Sequence, residues 1–352
     1  MSLSDARFLR LAIAMGPGRT RDQFLSIKQT IKSIESFRGH YQKGPLWSMA
    51  KNIPQLISLS QRAWLEMERQ QIKTVFIDES DYPLRLKSHP WAPAVLFIQG
   101  SPSLNAGDWI AIVGSRAATF KSIARTEEIA RKLCEAGYNI ISGGAIGIDA
   151  AAHTGALSIT SGKSVAVLGN GLANPYPMRN RTLFKDICTA GGLVSSFWYE
   201  APPLKQNFPI RNNYIAALAQ GVVIIQAGAQ SGALYTAKAA HRLGIKVMSM
   251  QEGVGCLSLL ASHQAIPIHN AHDVIHVMQG KDVSCAHDIV IGSEASQVKE
   301  LLIKEDRCWN TGDVADALGW TLSRTAVVLL QMELAGWVEL QITGYRLLLR
   351  RT

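Results

Sequence analysis

From Trp109 to Met250 one pattern repeats: a short apolar run, usually closed by Gly or Ser, followed by a stretch at helical spacing. The runs are IAIVG, YNIIS, SVAVLG, GLVSS, VVIIQ and IKVMSM. Each is apolar almost without interruption, as strands are when both faces of a parallel sheet are covered. Parallel neighbours must be joined by crossovers, and the helical stretches between the runs are long enough to serve. The pattern therefore predicts an α/β protein with an extended Rossmann-like parallel sheet and helices on both faces.

The flanking sequence reads differently. Residues 1–75 are expected to form an N-terminal helical domain, on the apolar spacing of FLRLAIAM and IPQLISLSQRAWLEMERQQI. A β-flavoured stretch, KTVFIDESDYP, and a proline-containing connection, SHPWAPAVLFIQG, lead into the sheet region, taken as residues 76–280. Residues 281–293 read as a linker. Residues 294–352 then give three helical stretches, ASQVKELLIKE, TGDVADALG and LSRTAVVLLQMELAG, and a strand–turn–strand, WVELQITGYRLLL. Three helices and a small hairpin are a winged-helix-like plan.

A chain of 352 residues has room for two or three such units. With 47% hydrophobic and 18% charged residues it has the composition of a folded chain rather than a disordered one. No apolar run approaches the roughly 18 residues a membrane helix needs, and the N-terminus lacks a signal-peptide core and cleavage site. Cys134, Cys188, Cys256, Cys285 and Cys308 are odd in number, scattered and never in a CxxC pair, which argues against disulfide scaffolding or a zinc site. A cytoplasmic protein without membrane or metal is expected.

The net charge is +9, and Asp108–Lys246 carries most of it, with 14 Lys and Arg against 7 Asp and Glu. Such an excess suits a polyanionic partner, although a basic and inert surface would read the same. Ligands of open parallel sheets collect at the carboxyl ends of the strands. Those ends present Ser115-Arg116, the loop GGAIGID, Asn170-Gly171, the segment LKQNFPIRNN and the turn AGAQSGA. Small residues permit close backbone approach, and helices beginning after GGAIGID and AQSGA would add N–H donors for phosphate. Arg116, Lys205 and Arg211 supply cations. Phe208, read as part of a loop, would either stack a base or anchor that loop in the core. Asp149 reads as a helix-start residue holding backbone N–H groups, and His153 as packed rather than catalytic.

Enzyme signatures are sparse. There is no GxxxxGK[ST], HExxH or GxSxG, no pair of acids at strand ends for two-metal chemistry, and no GxGxxG after the first strand. No cofactor is expected.

The segments IAIVGSRAATFKS, IISGGAIGIDAAAHTGAL, SVAVLGNGLANPYP, NFPIRNNYIAALA and QSGALYTAKAAHRLGIKV resemble, in order and spacing, the successive motifs of the DprA/Smf family of DNA-processing proteins. The resemblance implies a non-catalytic protein that binds single-stranded DNA, forms a homodimer, protects incoming DNA and loads the recombinase RecA in natural transformation. It implies DNA contacts at Ser115, Arg116, Lys205, Phe208, Arg211 and Asn212, with Gly143, Gly147, Ser231 and Gly232 lining the same pocket. The sequence departs from the family pattern at Ser195-Ser196, at Asn213, at Gln226 and in GVGCLSLLASHQA. Two other readings stand beside this one. A LOG-like nucleoside-monophosphate hydrolase has a similar fold, but AGAQSGALYTA lacks the Glu of its PGGxGTxxE motif. A protein-interaction scaffold that has lost its ligand is the other. The third C-terminal helix, with one arginine, reads as a protein-contact element rather than a DNA reader.

Overall fold

The computed structural model describes residues 10, 11, 14, 25, 53–281, 293–304, 307–334, 338–341 and 344–347. Most of FLRLAIAM, most of the expected linker and Cys285 lie outside the described residues. Among the described residues, nine strands form one sheet: β1 (Ile72–Phe76), β2 (Val95–Gly100), β3 (Asp108–Val113), β4 (Tyr138–Ser142), β5 (Ser164–Leu168), β6 (Gly192–Ser195), β7 (Gly221–Gln226), β8 (Lys246–Glu252) and β9 (Ile266–Pro267). Across the sheet they run β1-β2-β6-β5-β4-β3-β7-β8-β9. From β6 to β9 every pairing is parallel.

The six apolar runs are thus strands of an extended Rossmann-like sheet. Two features were not visible in them. The proline-containing connection supplies β2, which pairs antiparallel with β1 on one side and with β6 on the other. The expected boundary at residue 75 falls inside β1, because pairing with β2 makes Ile72–Phe76 part of the sheet.

Helices α1 (Ile53–Arg69), α2 (Leu84–Lys87), α3 (Phe120–Glu135), α4 (Ile148–Leu157), α5 (Arg181–Ala190), α6 (Asn207–Leu218), α7 (Ala233–Arg242), α8 (Val254–Ala261) and α9 (Ala271–Met278) complete this unit. Successive side chains of a strand point to opposite faces, so β3 feeds two cores. Trp109, Ala111 and Val113 enter one with Phe97, Phe184, Ile215 and Ala237. Ile110 and Ile112 enter the other, against Ile129 and Leu133 of α3, Ala152 of α4 and Val274 of α9. Leu11 and Ala14 are buried in the first core, and Arg10 binds Asp78 and Glu79 just past β1.

The C-terminal residues fold as α10 (Ser293–Lys304), α11 (Thr311–Leu318), α12 (Leu322–Leu334) and an antiparallel pair, β10 (Val338–Gln341) with β11 (Gly344–Leu347). Val298, Trp309, Val314, Leu329 and Val338 form their core. Arg324, the arginine of α12, is bound by Glu294 at 2.6 and 2.9 Å, while Leu322, Val327 and Leu330 are exposed. No described helix is long and apolar enough to cross a membrane.

Position across the sheet follows from chain order. The chain leaves β3 through β4, β5 and β6 in one direction, then crosses back to lay β7, β8 and β9 on the other side. At that reversal, between β3 and β7, the loops leaving the strand tops diverge and a crevice must open.

Candidate nucleic-acid interface

A cleft of about 610 Å³ opens at the carboxyl ends of β3 and β7. Eight of the ten residues singled out from the sequence line it: Ser115 and Arg116 after β3, Lys205, Phe208, Arg211 and Asn212 on and before α6, and Ser231 and Gly232 after β7. Gly143 lies instead on a small adjoining cavity of about 60 Å³ with Arg116, Tyr176, Phe208 and Arg211. Gly147 lines neither. Its φ of +82° starts α4 against the β3 loop, and a Cβ there would run into the Ser115 carbonyl oxygen.

Phe208 and Arg211 stand on the first turns of α6, not in a loop. Pro209 hides the helix from a sequence reading, yet proline in the first turn gives up only an N–H that has no partner within the helix. Helical spacing then separates the two functions. Phe208 is half-buried at the cleft, with the guanidinium carbon of Arg116 5.2 Å and that of Arg211 5.8 Å from its ring centre. Arg211 is 4% exposed, and its Nη1 donates to the carbonyl oxygens of Gly143 and, at 2.6 Å, Val167, while Nε donates to Asn212 Oδ1 at 3.0 Å. A buried cation so completely engaged holds strand ends together. Burial lowers its pKa to about 10, with the Arg116 charge adding to the shift and Asp149 opposing it, so it stays charged at neutral pH. Gly143 is small because Arg211 needs the space, and a Cβ there would also sit 2.6 Å from Asp149 Oδ2.

Three donors of the loop GGAIGID are already engaged within the chain. Asp149 Oδ2 accepts from the N–H groups of Gly143 (3.2 Å) and Ala145 (3.4 Å), and the Ser115 carbonyl accepts from Ile148 N–H at 3.2 Å. The chain's own carboxylate takes the two N–H groups of Gly143 and Ala145. Burial pushes the Asp149 carboxyl up, partly offset by Arg211 and the N–H donors. His153 is packed under α4, its Nδ1 2.7 Å from Ser164 Oγ, with its pKa lowered by burial and by Arg211 to about 3.

The turn after β7 is the open one. Gly228, Gln230 and Gly232 line the cleft just before α7, and their backbone N–H groups donate no hydrogen bond among the described residues. Such N–H groups ahead of a ten-residue helix favour a phosphate by geometry and dipole. Arg116 and Lys205 are exposed and form no ion pair among the described residues. Tyr235, 56% exposed, and the buried Thr236 also line the cleft, and Tyr176 lies 6.2 Å from the Phe208 ring. Reading the sequence missed all three. The helical offset from Ser231 places Tyr235 and Thr236 on the first turn of α7; Tyr176 falls within the motif SVAVLGNGLANPYP, but no spacing in it ties that ring to the cleft.

The departures from the family pattern lie outside the lining of this cleft. Asn213 Oδ1 accepts from Arg242 at 3.1 Å, and Ser195 Oγ donates to the Asn170 carbonyl at 2.7 Å. Gln226 ties the walls: its carbonyl accepts from Ser115 N–H (2.8 Å) and its Oε1 from Thr119 N–H (3.1 Å). Beside it, Glu252 at the end of β8 accepts from Ser122 and, at 2.9 Å, from Arg125 on α3.

Fold and cleft together define an open α/β protein of the Rossmann-like kind, with its ligand site at the topological switch point. A sequence model of the DNA recombination-mediator protein A family matches residues 73–279, which takes in the nine-stranded sheet but for the first residue of β1, with helices α2 to α9. The protein Smf of Escherichia coli is 31% identical over 81% of this chain and 79% of its own length. Protein Smf of Synechocystis is 38% identical over 64% of this chain, a match spanning 57% of that protein. Among solved structures, DNA processing protein A (DprA) of Streptococcus pneumoniae superposes with a TM-score of 0.59 at 28% identity, covering 78% of this chain and 98% of that one. DNA processing protein A of Helicobacter pylori, a single-stranded-DNA-binding protein, gives 0.54 at 26% identity over 60% and 96%. This chain belongs to the DNA recombination-mediator protein A family, whose members are called DprA or Smf.

Proposed function

We propose that this protein binds single-stranded DNA in the β3–β7 cleft without chemical turnover, protects it, and as a homodimer in the cytoplasm loads it onto the recombinase RecA during natural transformation and recombination. The observation that carries the DNA reading is the convergence in one cleft of two unpaired cations, Arg116 and Lys205, an aromatic ring, Phe208, and the free N–H groups of the turn before α7. Cations and amides take phosphates and the ring takes a base, a combination that grips single strands with little regard to sequence. Family membership supports the loading role and the homodimer. Nucleotide hydrolysis finds less support: Asp149 is the one carboxylate among the described lining residues, and its Oδ2 is occupied by backbone N–H groups.

On the same reading the chain divides as expected from its sequence, into an N-terminal helical domain over residues 1–75, the sheet unit over 76–280, a linker over 281–293 and a winged-helix-like unit over 294–352, with the first boundary inside β1. The exposed Leu322, Val327 and Leu330 on α12 and the engagement of Arg324 by Glu294 favour protein contact there over DNA reading.

The test is fluorescence anisotropy with labelled oligo-dT at two salt concentrations. Binding that weakens as salt rises, with a slope set by the phosphates contacted, is the expected result. No binding at low salt overturns the reading.

A further inference from the structure

A second cavity, of about 510 Å³, lies beside α5, lined by Gln70, Gln99, Asn174, Met178, Arg181 and Lys185 among others. The loop after β5 is the wall between it and the DNA cleft. Tyr176 and Pro177 of that loop face the small cavity shared with Arg116 and Phe208, while Asn174, Pro175 and Met178 face the second cavity. The β3–β7 cleft, the small cavity and the cavity beside α5 therefore succeed one another around Phe208 and Tyr176.

The chemistry beyond the wall matches that before it. Arg181 and Lys185 are four residues apart, hence on one face of α5, and both are exposed with no ion pair among the described residues. On the crest, Tyr176 is 42% and Met178 60% exposed, an apolar ridge next to the Phe208 ring. Two positive charges on one face of a helix at the mouth of a cavity, neither in an ion pair among the described residues, are placed to attract and hold an anion there.

We propose that a bound single strand does not end at Phe208 but crosses the Tyr176 ridge and continues along α5, where Arg181 and Lys185 hold its phosphates. This rests on the single-strand reading of the β3–β7 cleft, and it adds a second stretch of binding surface that only longer strands reach.

Strand length separates the two ideas. The full chain and its Arg181→Ala/Lys185→Ala variant are titrated with oligo-dT of about six and about twenty nucleotides over a range of salt. Both substituted side chains are exposed, so the fold should be untouched; matching thermal unfolding curves check this. The expected result is unchanged affinity for the short strand and roughly tenfold weaker binding of the long one near 0.1 M salt, with a log–log salt slope smaller by about 1.4 for two lost contacts. The charge-reversed Arg181→Glu/Lys185→Glu variant should weaken the long strand further. Equal binding of the long strand by variant and parent overturns the proposal and leaves the cleft reading intact, and so does an equal loss at both lengths. A parent chain that binds neither strand overturns the cleft reading itself, and the extension with it.

Discussion

Arg211 and Arg116 look alike in the sequence, two arginines near the same strand ends, and the structure gives them opposite consequences when removed. Arg211→Ala takes away three charge-assisted hydrogen bonds, to Gly143, Val167 and Asn212, and leaves the buried Asp149 without the nearby cation that offsets its burial. Hydrogen bonds to charged groups contribute about 1.5–3 kcal/mol each, but bonds sharing one guanidinium do not add. Removing one side of a buried charge arrangement costs about 3–5 kcal/mol, and that is the expected loss here. For a unit of this size each kcal/mol moves Tm by about 2–4 °C, so Arg211→Ala should melt roughly 6–20 °C lower. Arg211→Lys should fall between, because one ammonium cannot span acceptors placed for a fork. Arg116→Ala should stay within about 0.5 kcal/mol of the parent, as exposed substitutions do, while its affinity for oligo-dT drops and its salt slope falls by about 0.7. Differential scanning calorimetry beside anisotropy titration reads both. An Arg211→Ala protein as stable as the parent but unable to bind would show that this guanidinium faces the ligand, and the separation of roles along α6 would be wrong.

Phe208→Ala should cost about 1–3 kcal/mol of single-strand affinity with the salt slope unchanged, while Phe208→Tyr keeps most of it; a fall in slope would mean a charge contact had been lost instead. Gly147→Ala should destabilise by about 1–3 kcal/mol, since its φ is +82° and a Cβ meets the β3 loop, whereas Gly228→Ala, with nothing within 4 Å of its Cβ, should not; equal Tm values for the two would contradict the account of Gly147. His153 stays neutral in the fold down to about pH 3, while in the unfolded chain it takes a proton below about 6.5. Its contribution is therefore full above pH 6.5 and fades as pH falls, by roughly 2 kcal/mol at pH 5; a His153→Gln variant should show a flatter fall in Tm from pH 7 to 5, and an unchanged fall would place the acid sensitivity elsewhere.

The parts legible in the sequence were those set by local pattern. Unbroken apolar runs mark strands covered on both sides, and the small residues ending them mark where a ligand can approach, so the β3–β7 cleft emerged with most of its lining. Pairings between distant segments were not legible: VLFIQG becomes a strand because β6 offers it an edge, and no periodicity within VLFIQG records that. NFPIR was obscured by a rule applied one turn too far, since proline stops a helix from within but not at its start. The loop GGAIGID carries both a glycine-rich anion cradle and the aspartate that occupies it. Only the approach of Asp149 Oδ2 to the N–H groups of Gly143 and Ala145 shows that these two donors are already taken.

Gln226 has a consequence for how this protein responds to its surroundings. The five residues from Ser115 to Thr119, which carry Arg116 into the cleft, are strapped at both ends to this one position, by its main chain and by its side-chain amide. A carboxylate there would change its grip on gaining a proton and would add a negative charge beside the segment that carries Arg116. An amide does neither. The strap carries no charge and no titrating group, so neither acid nor salt acts on these two bonds directly.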